Sequence, residues 1–188
     1  MKGFRQHWVC LAGFAFVFAT GCAWGTMTPE EFEGRQVNGV CGEFFQPNGL
    51  VPTFAAIANE IGRPIRATKV AIHADYAVLE LRDPMNPVHL NQWVVRGVDV
   101  EAPTPQPVRA DEELDARTFR VADFPWSDLN DALDRGLSSL NLESGTVRYL
   151  VLETHDGRLR MRAYYNGPRD SGHVDFDGEL AILDARRN

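Results

Sequence analysis

The chain has 188 residues, 44% hydrophobic and 24% charged, with a formal net charge of −7 at pH 7. This composition is that of a globular protein and excludes a collagen, a coiled coil and a wholly disordered chain. The negative balance argues against a broad electrostatic grip on nucleic acid. The length fits one domain, or two small units sharing a core. Among the basic residues only Lys2 and Lys69 are lysine, and the rest are arginine.

The N-terminus reads as an address. Lys2 and Arg5 form a positive start, Trp8 to Ala19 is almost wholly apolar, and small residues follow up to Cys22. That is the pattern of a secretory signal over residues 1–21, and the apolar run is short for a transmembrane helix. Ala19-Thr20-Gly21-Cys22 resembles a bacterial lipoprotein lipobox, with Ala19 where that family usually has leucine. The resemblance implies acylation of Cys22 with palmitate-type chains, a mature chain starting there, and anchoring to the periplasmic face of the outer membrane, since Ala23 is not the retention aspartate. Ala19 and Gly21 also satisfy the small-x-small rule of ordinary signal cleavage, which would leave a soluble periplasmic protein. With lipid on Cys22, Cys41 stands alone in an oxidising compartment; with Cys22 free, a Cys22–Cys41 disulfide is possible.

Beyond the address, Thr28-Pro29-Glu30-Glu31 is a helix start that Asn38-Gly39 ends, and Asn48-Gly49 marks a turn. Pro52 to Ile61 predicts a helix with Phe54, Ile57, Ala58 and Ile61 on one face, stopped by Gly62 and Pro64. Strands are expected at Ala67–Ile72, Tyr76–Arg82 and Leu90–Arg96, with a shorter one at Val98–Ala102. The three prolines between Glu101 and Val108 exclude an inner strand or a helix and suggest a joint at 103–108. Asp99 to Asp134 holds ten acidic and three basic residues; it reads as a solvated face, or as a docking surface for a basic partner. Ser127-Asp128 caps a helix to about Leu140, striped by Leu129, Leu133, Leu137 and Leu140. Further strands are expected at Val147–Thr154, Arg158–Tyr165, His173–Phe176 and Leu180–Leu183, with hairpin turns at Asp156-Gly157 and Asp177-Gly178.

The two strand groups match at a shift of 80 residues: Val70 meets Leu150, Ile72 meets Leu152, and Leu79 meets Leu159. With one inserted residue Trp93 meets Val174 and Val95 meets Phe176. We therefore expect an α+β fold of two tandem repeats, residues 22–102 and 109–188, each with helical segments packed on an antiparallel sheet of about four strands. Alternation puts Leu79, Leu81, Trp93, Val95, Leu159, Met161, Ala163, Val174 and Phe176 against the helices. The opposite face carries Arg158, Arg160, Arg162 and Tyr164 beside His173, Asp175 and Asp177, and in the first group Tyr76, Val78, Glu80 and Arg82 beside Gln92, Val94 and Arg96. The arginine row predicts either cross-strand ion pairs, including Glu80 with Arg96, or a binding surface. Arg158, Arg160, Arg162, Tyr164 and Tyr76 are the candidate binding residues, because arginine and tyrosine are common interface anchors.

This order of elements over roughly residues 50–188 is similar to the β-lactamase-inhibitor-protein and PepSY-like architectures. The resemblance implies a mostly non-catalytic protein that binds proteins or peptides. The chain has no G-x-S-x-G elbow, H-E-x-x-H, phosphate loop or dinucleotide fingerprint, so no catalytic residue and no cofactor is expected. His73-Ala74-Asp75 and His173-Val174-Asp175 could each offer two metal ligands, but read better as polar strand ends. The expectation is a non-enzymatic exported lipoprotein that binds an envelope protein, peptide or ligand. The alternatives are an envelope enzyme or metal-binding protein using these scattered residues, and a structural envelope component.

Overall fold

In the computed structural model the chain is described over residues 43–45, 49–108 and 113–188. The signal segment, Cys22, the helix expected after Thr28 and Cys41 lie outside these residues.

A short 3-10 turn, Glu43–Phe45, buries Phe44 and Phe45. Helix α1 (Leu50–Ile61) follows. Its Leu50, Thr53 and Ile57 are buried, and the Thr53 hydroxyl donates to Gly97 O at 3.0 Å, which satisfies the one polar group on that face. Gly62, at φ 82°, ends the helix with its N–H on Ala58 O. Strands β1 (Arg66–His73), β2 (Ala77–Arg82), β3 (Leu90–Arg96) and β4 (Asp99–Val100) form an antiparallel meander. The proline-rich stretch adds β5 (Thr104–Gln106), an edge strand on β3; Pro105 sits there because an edge position can forgo a donor.

A single turn of helix, α2 (Leu114–Arg117), leads into β6 (Phe119–Arg120), which pairs with the start of β1. Helix α3 (Leu129–Leu140) presents Leu129, Ala132, Leu133, Gly136 and Leu140 inward. Asp128 stands at its N-cap without a side-chain capping bond, contrary to expectation: Ser127 Oγ donates to the Asp128 carboxylate instead, and a 3-10 turn, Trp126–Asp128, feeds the helix. Strands β7 (Thr146–His155), β8 (Arg158–Asn166), β9 (Ser171–Asp177) and β10 (Ile182–Arg187) form a second meander. The last strand begins later than Leu180 because Asp177 Oδ1 takes the N–H groups of Glu179 and Ala181, and Leu180 turns through φ 65°.

The two strand groups join in one sheet. The strand order is β10-β9-β8-β7-β1-β2-β3-β4, so the first strands of the two meanders, β1 and β7, pair antiparallel at the centre. Pairing them removes two open edges from the molecule. The ladders also correct the residue matching between the meanders. Val70 lies opposite Leu79 while Leu150 lies opposite Ala163, so Leu79 corresponds to Ala163 and not to Leu159. The displacement is an even number of residues, which keeps every side chain on its expected face. Leu79, Leu81, Val95, Met161, Ala163, Val174 and Phe176 are buried, and Trp93 and Leu159 pack half-buried against them. Both long helices contribute to this one core, and the opposite sheet face is open.

Candidate functional site

The open face is organised in rows that run across the strands, each set by the pairing register. The first row alternates in charge: Glu80 on β2, Lys69 on β1, Glu153 on β7, Arg160 on β8 and Asp177 on β9. The second is apolar along Val94, Val78, Ala71 and Val151, then continues into Arg162 and Asp175. The third is aromatic: His73, Tyr149, Tyr164 and His173 face one another in succession, with Tyr76 at the β1 end. Residues two apart along a strand are about 6.6 Å apart, so the charged and aromatic rows stand about 13 Å apart with the apolar row between them.

The aromatic row is a continuous stack. Centroid separations are 4.2 Å for Tyr76–His73, 5.2 Å for His73–Tyr149 and 4.3 Å for Tyr149–Tyr164, with interplanar angles of 8°, 19° and 17°. His173 closes the row at 6.0 Å and 39° from Tyr164, and Arg96 lies over the outer face of Tyr76 at 4.9 Å. The ring faces are therefore occupied by each other. What the row turns to solvent is ring edges, hydroxyls and imidazole nitrogens, which suits hydrogen bonding and edge contact rather than stacking of a sugar or base.

Between the outer rows, small Ala71 and Val151 leave a hollow of about 600 Å³. Tyr149 and Tyr164 wall it on one side, and Lys69, Glu153 and Arg160 on the other. One end is closed by a bidentate ion pair, with Arg162 Nε on Asp175 Oδ1 at 2.5 Å and Nη2 on Oδ2 at 2.8 Å. The hydrogen bond to Asp175 raises the Arg162 pKa, and the same bond holds the Asp175 carboxyl below the usual carboxylate value. Arg160 sits between Glu153 and Asp177 in the register, yet forms no ion pair among the described residues. Burial raises the Tyr149 hydroxyl pKa, and neighbouring Tyr164 adds to the shift.

Of the candidate binding residues, Arg160, Arg162 and Tyr164 line the hollow. Tyr76 belongs to the aromatic row, but His73 and Tyr149 separate it from Tyr164. Arg158 lies at the tip of the β7–β8 hairpin opposite His155 and takes no part in the hollow. Arg82 is drawn off to the Pro87 carbonyl and the Asp115 carboxylate. The expected Glu80–Arg96 pair is not formed: Arg96 pairs with Glu101, and Glu80 lies opposite Gln92 and Lys69. Sequence reasoning missed Tyr149. The signal for it was present, because a two-residue turn at Asp156-Gly157 counts back to place Tyr149 opposite Tyr164.

His73 is the titratable centre of the row. Burial lowers its pKa from 6.5, Asp75 pulls the other way, and Arg148 adds to the lowering. The unfolded chain then takes up this proton first, so stability falls as pH drops from about 7 towards 5. His73→Gln should flatten that part of the stability curve, and the His73 ring resonances should titrate with a midpoint below 6.5. A midpoint at or above 6.5 would contradict the partial burial of His73 in the stack. No group of three or more His, Cys, Asp and Glu among the described residues could hold a metal ion. No described helix is long and apolar enough to cross a membrane.

No family model matches the chain, and no curated protein does. Among solved structures it is similar to the crystal structure of a putative lipoprotein from Clostridium difficile 630. The two share 8% sequence identity at a TM-score of 0.50, over 72% of this chain and 90% of that one. At that identity the likeness concerns the fold.

Proposed function

We propose that this protein is a non-catalytic, exported lipoprotein of the bacterial cell envelope, anchored through Cys22, that binds a segment of another protein across the open face of its sheet. The observation that carries the reading is the hollow over Ala71 and Val151, apolar at its floor and flanked by a hydroxyl-bearing aromatic row and a row of alternating charge. Such a combination of apolar floor, tyrosine and arginine is the composition of interface hot spots. The distance of about 13 Å between the flanking rows accommodates an amphipathic helix of about 10–12 Å diameter.

The export and lipid parts of the reading rest on residues 1–22, and the likeness in fold to a protein described as a putative lipoprotein is consistent with them. The internal duplication belongs to the same proposal. It is supported by a strand order that sets four strands on either side of the β1–β7 junction, each set following a helix.

Affinity capture from mildly crosslinked envelopes tests the binding surface. One stoichiometric partner is expected, with recovery falling about tenfold for Tyr149→Ala or Arg160→Ala. A blank, or a partner indifferent to both substitutions, would overturn the reading. Metabolic labelling with a palmitate analogue should mark the wild type and not Cys22→Ser; an unlabelled wild type removes the anchor.

A further inference from the structure

A second cavity, of about 610 Å³, lies on the helix side of the sheet, away from the proposed protein-binding face. Its apolar wall includes Val51 and Phe54 of α1, Ile65 before β1, and Trp126 before α3. The wall is fixed in place: Trp126 packs on Phe54 at 4.8 Å and on Phe124 at 4.6 Å, and its indole N–H donates to Val121 O at 2.7 Å. That hydrogen bond leaves the indole with no polar group to offer a ligand.

Two charged side chains line the cavity, Arg63 and Arg120, and both are cationic in a chain of net charge −7. Arg63 has no ion pair among the described residues. Among the described residues Arg120 has only the Asp123 carboxylate as an ion-pair partner, at 3.9 Å, too long for a hydrogen bond. Such a site offers an anion charge-assisted partners in an otherwise apolar lining. The volume is within the range of small-molecule sites, and Val51, at 60% exposure, leaves apolar surface in water that no described element covers.

From this combination we infer that the cavity binds a free single-chain anionic amphiphile, a long-chain carboxylate, with its tail along Phe54 and Trp126 and its head on Arg63 and Arg120. The ligand is not consumed and no bond is made. The inference does not depend on the proposed protein-binding surface, which lies on the other face of the sheet.

The test is a titration of the protein, purified as the cell produces it, with palmitate and, separately, with hexadecanol, read by displacement of a fluorescent fatty acid. Saturable binding of one palmitate per chain is expected. The double variant Arg63→Gln, Arg120→Gln should weaken palmitate about tenfold or more while changing hexadecanol less than about twofold, because only the carboxylate loses its partners. Val51→Trp, which fills the mouth from an exposed helix position, should abolish both. Circular dichroism melts of each variant separate loss of the site from loss of the fold. Absent or non-saturable palmitate binding, or equal weakening of acid and alcohol in the arginine variant, would overturn the inference. So would palmitate binding to Cys22→Ser protein but not to wild type, since the cavity would then hold the chain's own lipid. Capture by anionic vesicles without binding of monomeric palmitate would equally assign the arginines to a membrane surface.

Discussion

Leu152→Ala is expected to destabilise the fold by about 3–5 kcal/mol, the range for a leucine removed from a core that cannot collapse around the gap. Leu152 is fully buried on β7, between Val70 of β1 and Met161 of β8. It therefore stands at the seam where the two meanders become one sheet, held in place by a strand on each side. The neighbouring Val151 points to the open face and is only half-buried. Val151→Ala removes two methylene equivalents from a site that water already reaches, and should cost less than about 1 kcal/mol. Urea unfolding of the two variants checks the assignment of faces directly. Equal costs, or a larger cost for Val151, would mean that the register of β7 is shifted by one residue and that the open face described above is the wrong one.

Gly136→Ala should also destabilise, by about 2 kcal/mol, although alanine is the better helix former by about 1 kcal/mol in a helix interior. The reason is the closeness of α3 to the sheet. A β-carbon at position 136 would run into the Tyr165 hydroxyl and come within 2.8 Å of Phe176 Cζ. Tyr165 has little room to retreat: it is fully buried, and its hydroxyl donates to Leu133 O of the same helix at 3.0 Å. Burial also pushes the hydroxyl pKa well above its ordinary value, so it stays a neutral donor throughout the working range. Tyr165→Phe alone should cost about 1 kcal/mol for the lost buried hydrogen bond. Combined with Gly136→Ala it should cost less than the two separately, because removing the hydroxyl relieves the closest of the two clashes while that with Phe176 remains. A stabilised Gly136→Ala protein in thermal melts would show that α3 stands further from β8 and β9 than the structure places it.

Much of the fold could be read from the residues, for local reasons. The alternation along Leu79–Leu81 and Met161–Ala163 reflects a period of two that a half-buried strand imposes on its own sequence, and the turns at Gly62 and Asp156-Gly157 depend only on backbone angles nearby. The missed elements were those with little local signal. Leu114–Arg117 is a single helical turn, and Phe119–Arg120 is a strand of two residues that exists because β1 offers it an edge. The start of β10 was misplaced because Asp177 spends its carboxylate on two backbone N–H groups downstream, a side-chain event with no periodicity.

By itself the sequence determined the two long helices and the main strands, which strand face is apolar, and that Arg160, Arg162 and Tyr164 share the open face. Only the tertiary structure decided that β1 meets β7. That pairing joins residues far apart in the chain, and no local rule specifies its register. It also made the site. Ala71 and Val151 form a floor, and His73 and Tyr149 complete an aromatic row, only because Ala71 pairs with Val151 and His73 with Tyr149 across that seam. Each of the four residues is unremarkable in its own strand. Cross-strand neighbours about 5 Å apart interact strongly, and a chain shows its neighbours across a sheet only once the ladder has formed.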